Sequence, residues 1–92
     1  GAELHTGDNT LTFQGQKIEL TKNEYRILLA LMESKGKVVS REKLMERLWE
    51  SDSFVDENTL TVNVNRLRKK LDAEGLPNFI ITKFGVGYLV EG

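Results

Sequence analysis

The feature that most constrains this chain is a stretch from Asn58 to Leu71 that contains no acidic residue. Apolar side chains recur in it at helical spacing, at Leu60, Val64, Leu67 and Leu71. At about 100° per residue these side chains fall on one narrow stripe, which a helix buries against the rest of a fold. The sequence therefore predicts an amphipathic helix, the third in the chain, which Asp56 can cap and Gly75 can end.

The other side of this predicted helix is polar and basic. It gathers Asn58, Thr59, Val62, Asn65, Arg66 and Lys69, with Thr61, Asn63, Arg68 and Lys70 at its flanks. Asparagine and arginine match the hydrogen-bonding edges of adenine and guanine, and the methyl groups of valine and threonine can meet the thymine methyl. The competing interpretation is that the cations only solvate a surface helix and complement its C-terminal dipole. Val62 favours an interface, because an apolar residue among amides and cations is atypical of a solvated face.

Two shorter helices are predicted before this one. The first should run from about Lys22 to Ser34, because Thr21 and Glu24 have the spacing of a capping box. Its inward residues are predicted to be Tyr25, Leu28, Leu29 and Met32. Ser40 should cap the second helix. The inward residues of that helix are predicted to be Leu44, Met45, Leu48 and Trp49.

Short strands should flank the helices. Alternating residues at 11–13 and 17–20 predict an antiparallel platform near the N-terminus, and 38–39 predicts a short bridging strand. The β-rich segments 79–82 and 88–90 are separated by a linker whose two glycines permit the positive φ of a tight reversal. The predicted fold class is therefore α+β, a winged helix-turn-helix with an N-terminal antiparallel β-platform, three helices and a C-terminal β-hairpin wing.

Composition narrows the function classes. The chain has no cysteine and one histidine, which argues against disulfides, thiolate metal sites and histidine-dependent catalysis. We therefore expect no enzyme activity, no metal and no cofactor. No apolar run approaches the ~20 residues of a membrane span, so we expect no membrane contact, and the lack of cysteine fits a cytoplasmic location. Residues 1–92 should form one domain.

The net charge of −1 at pH 7 conceals a separation of charge along the chain. Acidic residues dominate between Glu42 and Glu57, whereas the stretch that follows is basic and favours a nucleic-acid partner. The alternative function is a winged-helix module that binds proteins and no DNA. Such a module should carry an apolar outer side on its third helix, whereas here one valine stands among amides and cations.

Together these residues resemble the winged-helix effector domain of OmpR/PhoB-type bacterial response regulators. The resemblance covers about Leu11 to Val90. It is carried by Leu20-Thr21-Lys22-Asn23-Glu24-Tyr25, Val39-Ser40-Arg41-Glu42-Lys43-Leu44, Leu48-Trp49, the stretch from Asn58 to Leu71 and Gly85-Val86-Gly87-Tyr88. Residues 48–54 and 63–65 are similar to the Gram-positive branch that governs resistance to bacitracin, lantibiotics and other antimicrobial peptides. The family implies a four-stranded N-terminal platform and a receiver domain, which these residues are expected not to include.

The resemblance implies that the third helix enters the major groove and that the hairpin lies against the minor groove or the backbone. The predicted DNA-binding residues are Arg41, Trp49, Asn58, Thr59, Thr61, Val62, Asn63, Asn65, Arg66, Arg68, Lys69, Lys70, Thr82, Lys83 and Tyr88. Arg41 and Trp49 match phosphate-contacting positions, but core packing is an equally weighted interpretation of Trp49. Many relatives carry arginine where this chain has Asn58 and Phe84. Without an arginine in the wing, Lys83 is the nearby cation that can replace it at the minor groove. We expect Phe84 to pack across the hairpin base rather than to touch sugar edges.

The resemblance also implies partners besides double-stranded DNA. The loop that relatives use to contact RNA polymerase corresponds here to Glu50, Asp52, Phe54 and Asp56, and a plain solvated loop is the competing interpretation. A second copy of the domain is expected beside the first, on half-sites arranged as direct repeats. A sensor histidine kinase is expected to act through the receiver domain.

Overall fold

The structure, a computed structural model, describes residues 2–49 and 55–91. Its elements in chain order are β1 (Glu3–His5), β2 (Thr10–Phe13), β3 (Gln16–Glu19), α1 (Lys22–Glu33), β4 (Val39–Ser40), α2 (Arg41–Trp49), α3 (Glu57–Ala73), β5 (Ile81–Lys83) and β6 (Gly87–Leu89). They confirm the predicted α+β winged helix-turn-helix, in which β5 and β6 form the wing. Within the described ranges, no helix is long and apolar enough to cross a bilayer.

The N-terminal platform is an antiparallel sheet of three strands in the order β1-β2-β3. β2 turns into β3 through Gln14 and Gly15, which both have positive φ (49° and 80°), as tight two-residue hairpins require. Leu11 lies opposite Ile18, and both side chains are buried. The sequence predicted only β2 and β3, and β1 joins them by pairing with the other edge of β2. In the described residues the platform thus has three strands, not the four that the family resemblance implies.

The second sheet joins the wing to the segment before α2, in the order β4-β6-β5. Val39 and Thr82 both lie opposite Tyr88, on its two sides. Gly85 has a φ of +78° and makes the tight turn of the wing. Gly87 does not have the positive φ of a tight reversal, and a Cβ there would collide with the Val39 carbonyl group. Glycine at this position lets β4 approach β6 closely.

α1 begins with the predicted capping box. The Glu24 N–H donates to Thr21 Oγ1 at 3.1 Å, and the Thr21 N–H donates to Glu24 Oε1 at 2.9 Å. The buried apolar residues of the helix are Ile27, Leu28, Ala30 and Leu31. Of the predicted inward residues, Leu28 is buried, and Tyr25 and Met32 are partly buried and pack against the core, whereas Leu29 is partly buried and does not belong to that core. The buried face is wider than the predicted stripe because α1 packs against both α2 and α3.

α2 and α3 contribute their leucines to the same core. Ser40 caps α2 as predicted, since its hydroxyl accepts from the Lys43 N–H at 3.1 Å. Leu44 and Leu48 are fully buried, but Trp49 is 57% exposed, so its assignment to the inward side is wrong. The predicted stripe of α3 is confirmed, with almost no exposure of Leu60, Val64, Leu67 and Leu71.

Both ends of α3 are closed by the predicted residues. Asp56 Oδ1 accepts from the Thr59 N–H at 2.7 Å. At the other end Gly75 has a φ of +88°, and the Leu76 N–H donates to the Leu71 carbonyl oxygen at 2.9 Å. These hydrogen bonds fix the length of the helix that carries the candidate site.

Candidate nucleic-acid interface

The side of α3 that points away from the core carries side chains without partners inside the fold. We call this side the outer face, and it consists of Asn58, Val62, Asn65, Arg66 and Lys69. Val62 is half-buried and the others are exposed. In residues 2–49 and 55–91, no hydrogen bond or ion pair engages the side chains of the two asparagines, the arginine or the lysine. These groups are therefore free to bind an external ligand.

The flank of α3 beside the wing is bonded to its surroundings. Arg68 donates to Thr82 Oγ1 at 2.7 Å and to the Ile80 carbonyl oxygen at 3.3 Å. On the same flank, Thr61 Oγ1 accepts from Arg41 at 2.8 Å. Thr61 and Arg68 are about two helical turns apart, so hydrogen bonds hold this flank of α3 at two points along the helix.

Arg41 links the starts of α2 and α3 to the wing. Its guanidinium donates to the Tyr88 hydroxyl at 2.6 Å and to the Glu57 carbonyl oxygen at 3.0 Å. It also pairs with the Glu57 carboxylate at 3.4 Å, and its own side chain is only 26% exposed. Tyr88 is a buried residue of the wing strand β6, and its predicted contact with DNA stays a prediction. The phosphate contact of Arg41 stays a prediction, whereas its hydrogen bonds give it a positioning role.

The opposite flank of α3 is bonded to the start of α1. Lys70 Nζ donates to Glu24 Oε1 at 2.7 Å and to the Glu19 carbonyl oxygen at 2.9 Å. The Glu24 side chain is 3% exposed, so Lys70 neutralises a buried carboxylate. Asn63 is buried too, and its Nδ2 donates to the Thr59 carbonyl oxygen at 2.9 Å. Both residues lie at a flank of the helix, as predicted, but they are engaged within the fold, and their contact with DNA stays a prediction.

The N-terminus of α3 holds Thr59 in a local network. Its hydroxyl donates to Asp56 Oδ1 at 2.8 Å. Hydrogen bonds from the Thr59 N–H, and then from its hydroxyl, hold the pKa of Asp56 below its ordinary value of 3.8. The ionised carboxylate also suits the positive end of the helix dipole. The DNA contact of Thr59 stays a prediction.

The wing presents its tip to solvent. Phe84 is 92% exposed, so the expected packing across the hairpin base is wrong. Tyr88 and Arg41 already occupy that base. Lys83 is exposed, and no ion pair engages it in the described ranges. An open notch of about 200 Å³ lies between the wing and α3, lined in part by Arg41, Thr61, Lys83, Phe84 and Tyr88.

Trp49 lies on a different surface, with acidic neighbours. It lines an open cleft of about 270 Å³ with Glu42, Met45, Glu46 and Val55. The indole N–H donates to the Val55 carbonyl oxygen at 3.2 Å, which orients the exposed ring. Its phosphate contact stays a prediction, and two carboxylates in the same cleft disfavour it.

The predicted polymerase loop falls mostly outside the described residues. Glu50, Asp52 and Phe54 are not among them, and Asp56 is the N-cap of α3. Among the residues that are described, no group of histidine, aspartate and glutamate side chains could hold a metal ion.

Two acidic residues of the site were not foreseen. Glu57 holds Arg41, and Glu24 holds Lys70, which lies 46 residues further along the chain. The capping box identified Glu24 as a helix cap, but no local signal in the sequence connects it to α3.

Comparison with known proteins shows the family. The family described as "Transcriptional regulatory protein, C terminal" matches residues 15–90. Sensory transduction protein BceR of Bacillus subtilis (strain 168) is 52% identical over 91 residues, covering 99% of this chain and 39% of that protein. Response regulator protein GraR of Staphylococcus aureus (strain MRSA252) is 50% identical over 76 residues, covering 83% of this chain and 34% of that protein. The chain thus spans less than half the length of either relative.

Solved structures agree with this family. The C-terminal domain of the nisin resistance regulator NsrR, a lantibiotic response regulator, gives a TM-score of 0.85 at 46% identity, covering 98% of this chain and 90% of that one. The DNA-binding domain of response regulator AdeR, solved in complex with an intercistronic region, gives 0.86 at 31% identity, covering 99% and 94%. Since sequence and fold agree over nearly the whole chain, it belongs to the transcriptional regulatory protein C-terminal family, as a DNA-binding domain of the OmpR/PhoB response-regulator type.

Proposed function

We propose that this domain binds double-stranded DNA sequence-specifically, with the outer face of α3 in the major groove and the wing on the neighbouring backbone. The observation that carries this proposal is the outer face, where Arg66 and Lys69 are exposed and have no acidic partner in the described residues. A helix with its side chains is about 10–12 Å wide and the major groove is about 12 Å wide, so one helix fills the groove.

We assign base reading to Asn65 and Arg66. Both are exposed, the amide can pair with adenine, and the guanidinium fork can pair with guanine. Lys69 lies one turn after Asn65 and suits a phosphate oxygen. Asn58 and Val62 extend the same face towards the start of the helix, where the valine methyls suit a thymine methyl.

Arg41 and Arg68 are assigned as positioning residues. Each donates a short hydrogen bond to the wing, to Tyr88 at 2.6 Å and to Thr82 at 2.7 Å. Together they hold the wing at a fixed angle to α3. A preformed angle lowers the entropy lost when helix and wing bind the same duplex.

Two copies of the domain are proposed to act together, because one helix reads too few base pairs for selectivity in a genome. Direct repeats about 10–11 bp apart would place both helices on the same face of the duplex. In a longer protein, a receiver domain phosphorylated by a sensor histidine kinase would control this assembly.

The similarity to a lantibiotic response regulator supports target genes for defence against antimicrobial peptides. Action on chromosomal DNA would require a cytoplasmic location, where the protein would act by binding and without catalysis.

RNA polymerase is the proposed protein partner. The cleft on α2 combines the exposed Trp49 ring with the carboxylates of Glu42 and Glu46, which suits a basic protein surface. In transcription assays, Trp49→Ala should bind DNA normally and activate less. If Trp49→Ala activated transcription as strongly as the parent, the cleft would not be a contact surface for RNA polymerase.

The DNA proposal is tested by measuring affinity for a duplex selected from random sequences over a range of salt concentrations. The logarithm of the binding constant should fall linearly with the logarithm of salt, because each neutralised phosphate releases counterions. Inserting about 5 bp between two repeats should abolish joint occupancy, and about 10 bp should partly restore it. An affinity that ignores both salt and sequence would contradict DNA reading and favour the protein-interaction module.

A further inference from the structure

The wing tip carries an aromatic side chain that the fold does not use. Phe84 is 92% exposed, and its neighbour Val86 is 57% exposed. The turn between them is well defined, with a φ of +78° at Gly85 and a hydrogen bond of 2.9 Å from the Val86 N–H to the Lys83 carbonyl oxygen. Because Phe84 loses almost no water on folding, nearly all of its hydrophobic free energy remains for a ligand.

The wing tip lies beside the flank of α3 that carries Thr61. Phe84 lines the notch of about 200 Å³ between wing and helix, with Thr61 on the helix side. The strand that precedes Phe84 is tied to α3 by Arg68, which donates to Thr82 at 2.7 Å. The strand that follows the turn is tied by Arg41, which donates to Tyr88 at 2.6 Å. Both strands of the wing that carry the turn are therefore tied to the helices.

Duplex geometry determines what this ring can meet. A helix that fills the major groove has the sugar-phosphate backbone beside it, and beyond that the minor groove, which is about 6 Å wide. The parts of DNA exposed there are charged phosphates and the apolar edges of deoxyribose. An aromatic ring with a cation next to it matches both, through Phe84 and Lys83 respectively.

We propose that Phe84 is an apolar DNA contact, whose ring packs against deoxyribose at the edge of the minor groove while Lys83 meets the adjacent phosphate. This inference rests on the proposed function, since it requires α3 to occupy the major groove. The wing thus binds DNA through both the hydrophobic effect and electrostatic attraction.

Charge favours DNA over a second protein as the occupant of this surface. Residues 75–90 contain no acidic residue, and Lys83 is their only lysine or arginine. The notch continues onto α3 at Thr61, beside the outer face, so both surfaces can contact one ligand at the same time. A polyanion with apolar edges fits this combination.

The test compares four variants on a single half-site, which one copy occupies. Phe84→Ala should lose on the order of tenfold in affinity, the effect of one half-buried aromatic ring. Phe84→Leu should retain most of the affinity, because it keeps an apolar contact. Lys83→Ala should lower the slope of log affinity against log salt by about one, whereas Phe84→Ala should leave the slope unchanged. Val38→Ala removes exposed apolar surface elsewhere and should bind like the parent.

Hydroxyl-radical footprinting identifies the atoms contacted, because the radical attacks deoxyribose. The parent should protect a short run of sugars beside the α3 site, and Phe84→Ala should lose that protection alone. Parental affinity of Phe84→Ala, with Arg66→Ala still weakened, would overturn this inference and leave the proposed function intact. A loss seen only on tandem sites would reassign Phe84 to a protein contact. Parental affinity of both variants would instead contradict the proposed function.

Discussion

The outer face of α3 and the flanks of the same helix carry similar side chains in opposite surroundings. Lys69 is exposed and has no partner in the described residues, whereas its neighbour Lys70 pairs with a buried carboxylate at 2.7 Å. Arg66 is also exposed, while Arg68 donates to Thr82 at 2.7 Å. A step of about 100° per residue is enough to separate the two environments.

This difference shows that a count of basic residues overstates the charge that the helix presents to DNA. Four cations lie between Asn58 and Leu71, but only Arg66 and Lys69 belong to the outer face. The other two hold the helix against the wing and against α1. Substituting outer-face cations should therefore change binding, and substituting flank cations should change stability or geometry.

Lys70→Ala should have the largest effect in this comparison. It leaves the Glu24 carboxylate, with a side chain that is 3% exposed, without its cation. Removing one member of a buried ion pair costs about 3 kcal/mol, which urea unfolding would detect. Lys69→Ala is the matched control and should unfold like the parent. If the two variants were equally stable, the distinction between flank and outer face would be lost.

Arg66→Ala and Asn65→Ala should each weaken binding to the selected duplex by about 1–3 kcal/mol, the cost of one bidentate base contact. The loss should be confined to sequences with the preferred base at one position, because the contact reads that base. Affinities for the selected duplex and for single-base variants of it measure this. An equal loss on every duplex would reassign the two side chains to the backbone.

Lys69→Ala should weaken binding less than Arg66→Ala does, and by the same factor on all sequences. A phosphate contact carries no base information, and its loss lowers the slope of log affinity against log salt by about one. Fluorescence titrations at several salt concentrations give this slope. An unchanged slope would mean that Lys69 does not contact a phosphate.

Asp56→Asn should have the smallest effect, confined to acid pH. The pKa of Asp56 is lowered because the Thr59 N–H and then the Thr59 hydroxyl donate to its carboxylate. The cap therefore stabilises the domain above pH 3.8, the ordinary value, and this stabilisation is lost as the pH falls through the lower pKa of the folded state. Asparagine caps without titrating, so thermal unfolding of the variant should depend less on pH in acid. If the parent and the variant lost stability equally in acid, another carboxylate would cause the loss. Asp8 is an example, because the Thr10 hydroxyl is the main cause of its lowered pKa.

The features of the fold that the sequence predicted correctly are local ones. The capping box of Thr21 and Glu24, the Asp56 cap and the end of α3 at Gly75 each involve residues within a few positions of one another. The buried stripe of α3 is local as well, because its residues recur every three or four positions. The family resemblance, which rests on the same segments, is confirmed by the comparisons.

The errors have a common physical cause, which is that exposure depends on what packs against a residue. Trp49 ends an amphipathic helix and was equally compatible with the core, but the structure leaves it 57% exposed. Phe84 is apolar and lies next to a hairpin, yet the hairpin base is already filled by Tyr88 and Arg41. Helical periodicity gives the direction of a side chain and not the identity of its neighbours.

By itself, the sequence determined the family, the order of the elements and the existence of a basic helix whose stretch from Asn58 to Leu71 contains no carboxylate. Only the tertiary structure decided which cations of that helix remain free. Lys70 meets Glu24 across 46 residues and Arg41 meets Tyr88 across 47, so neither pair leaves a local pattern. Burial of the Glu24 carboxylate requires a compensating cation, and packing of α1 against α3 determines that Lys70 supplies it.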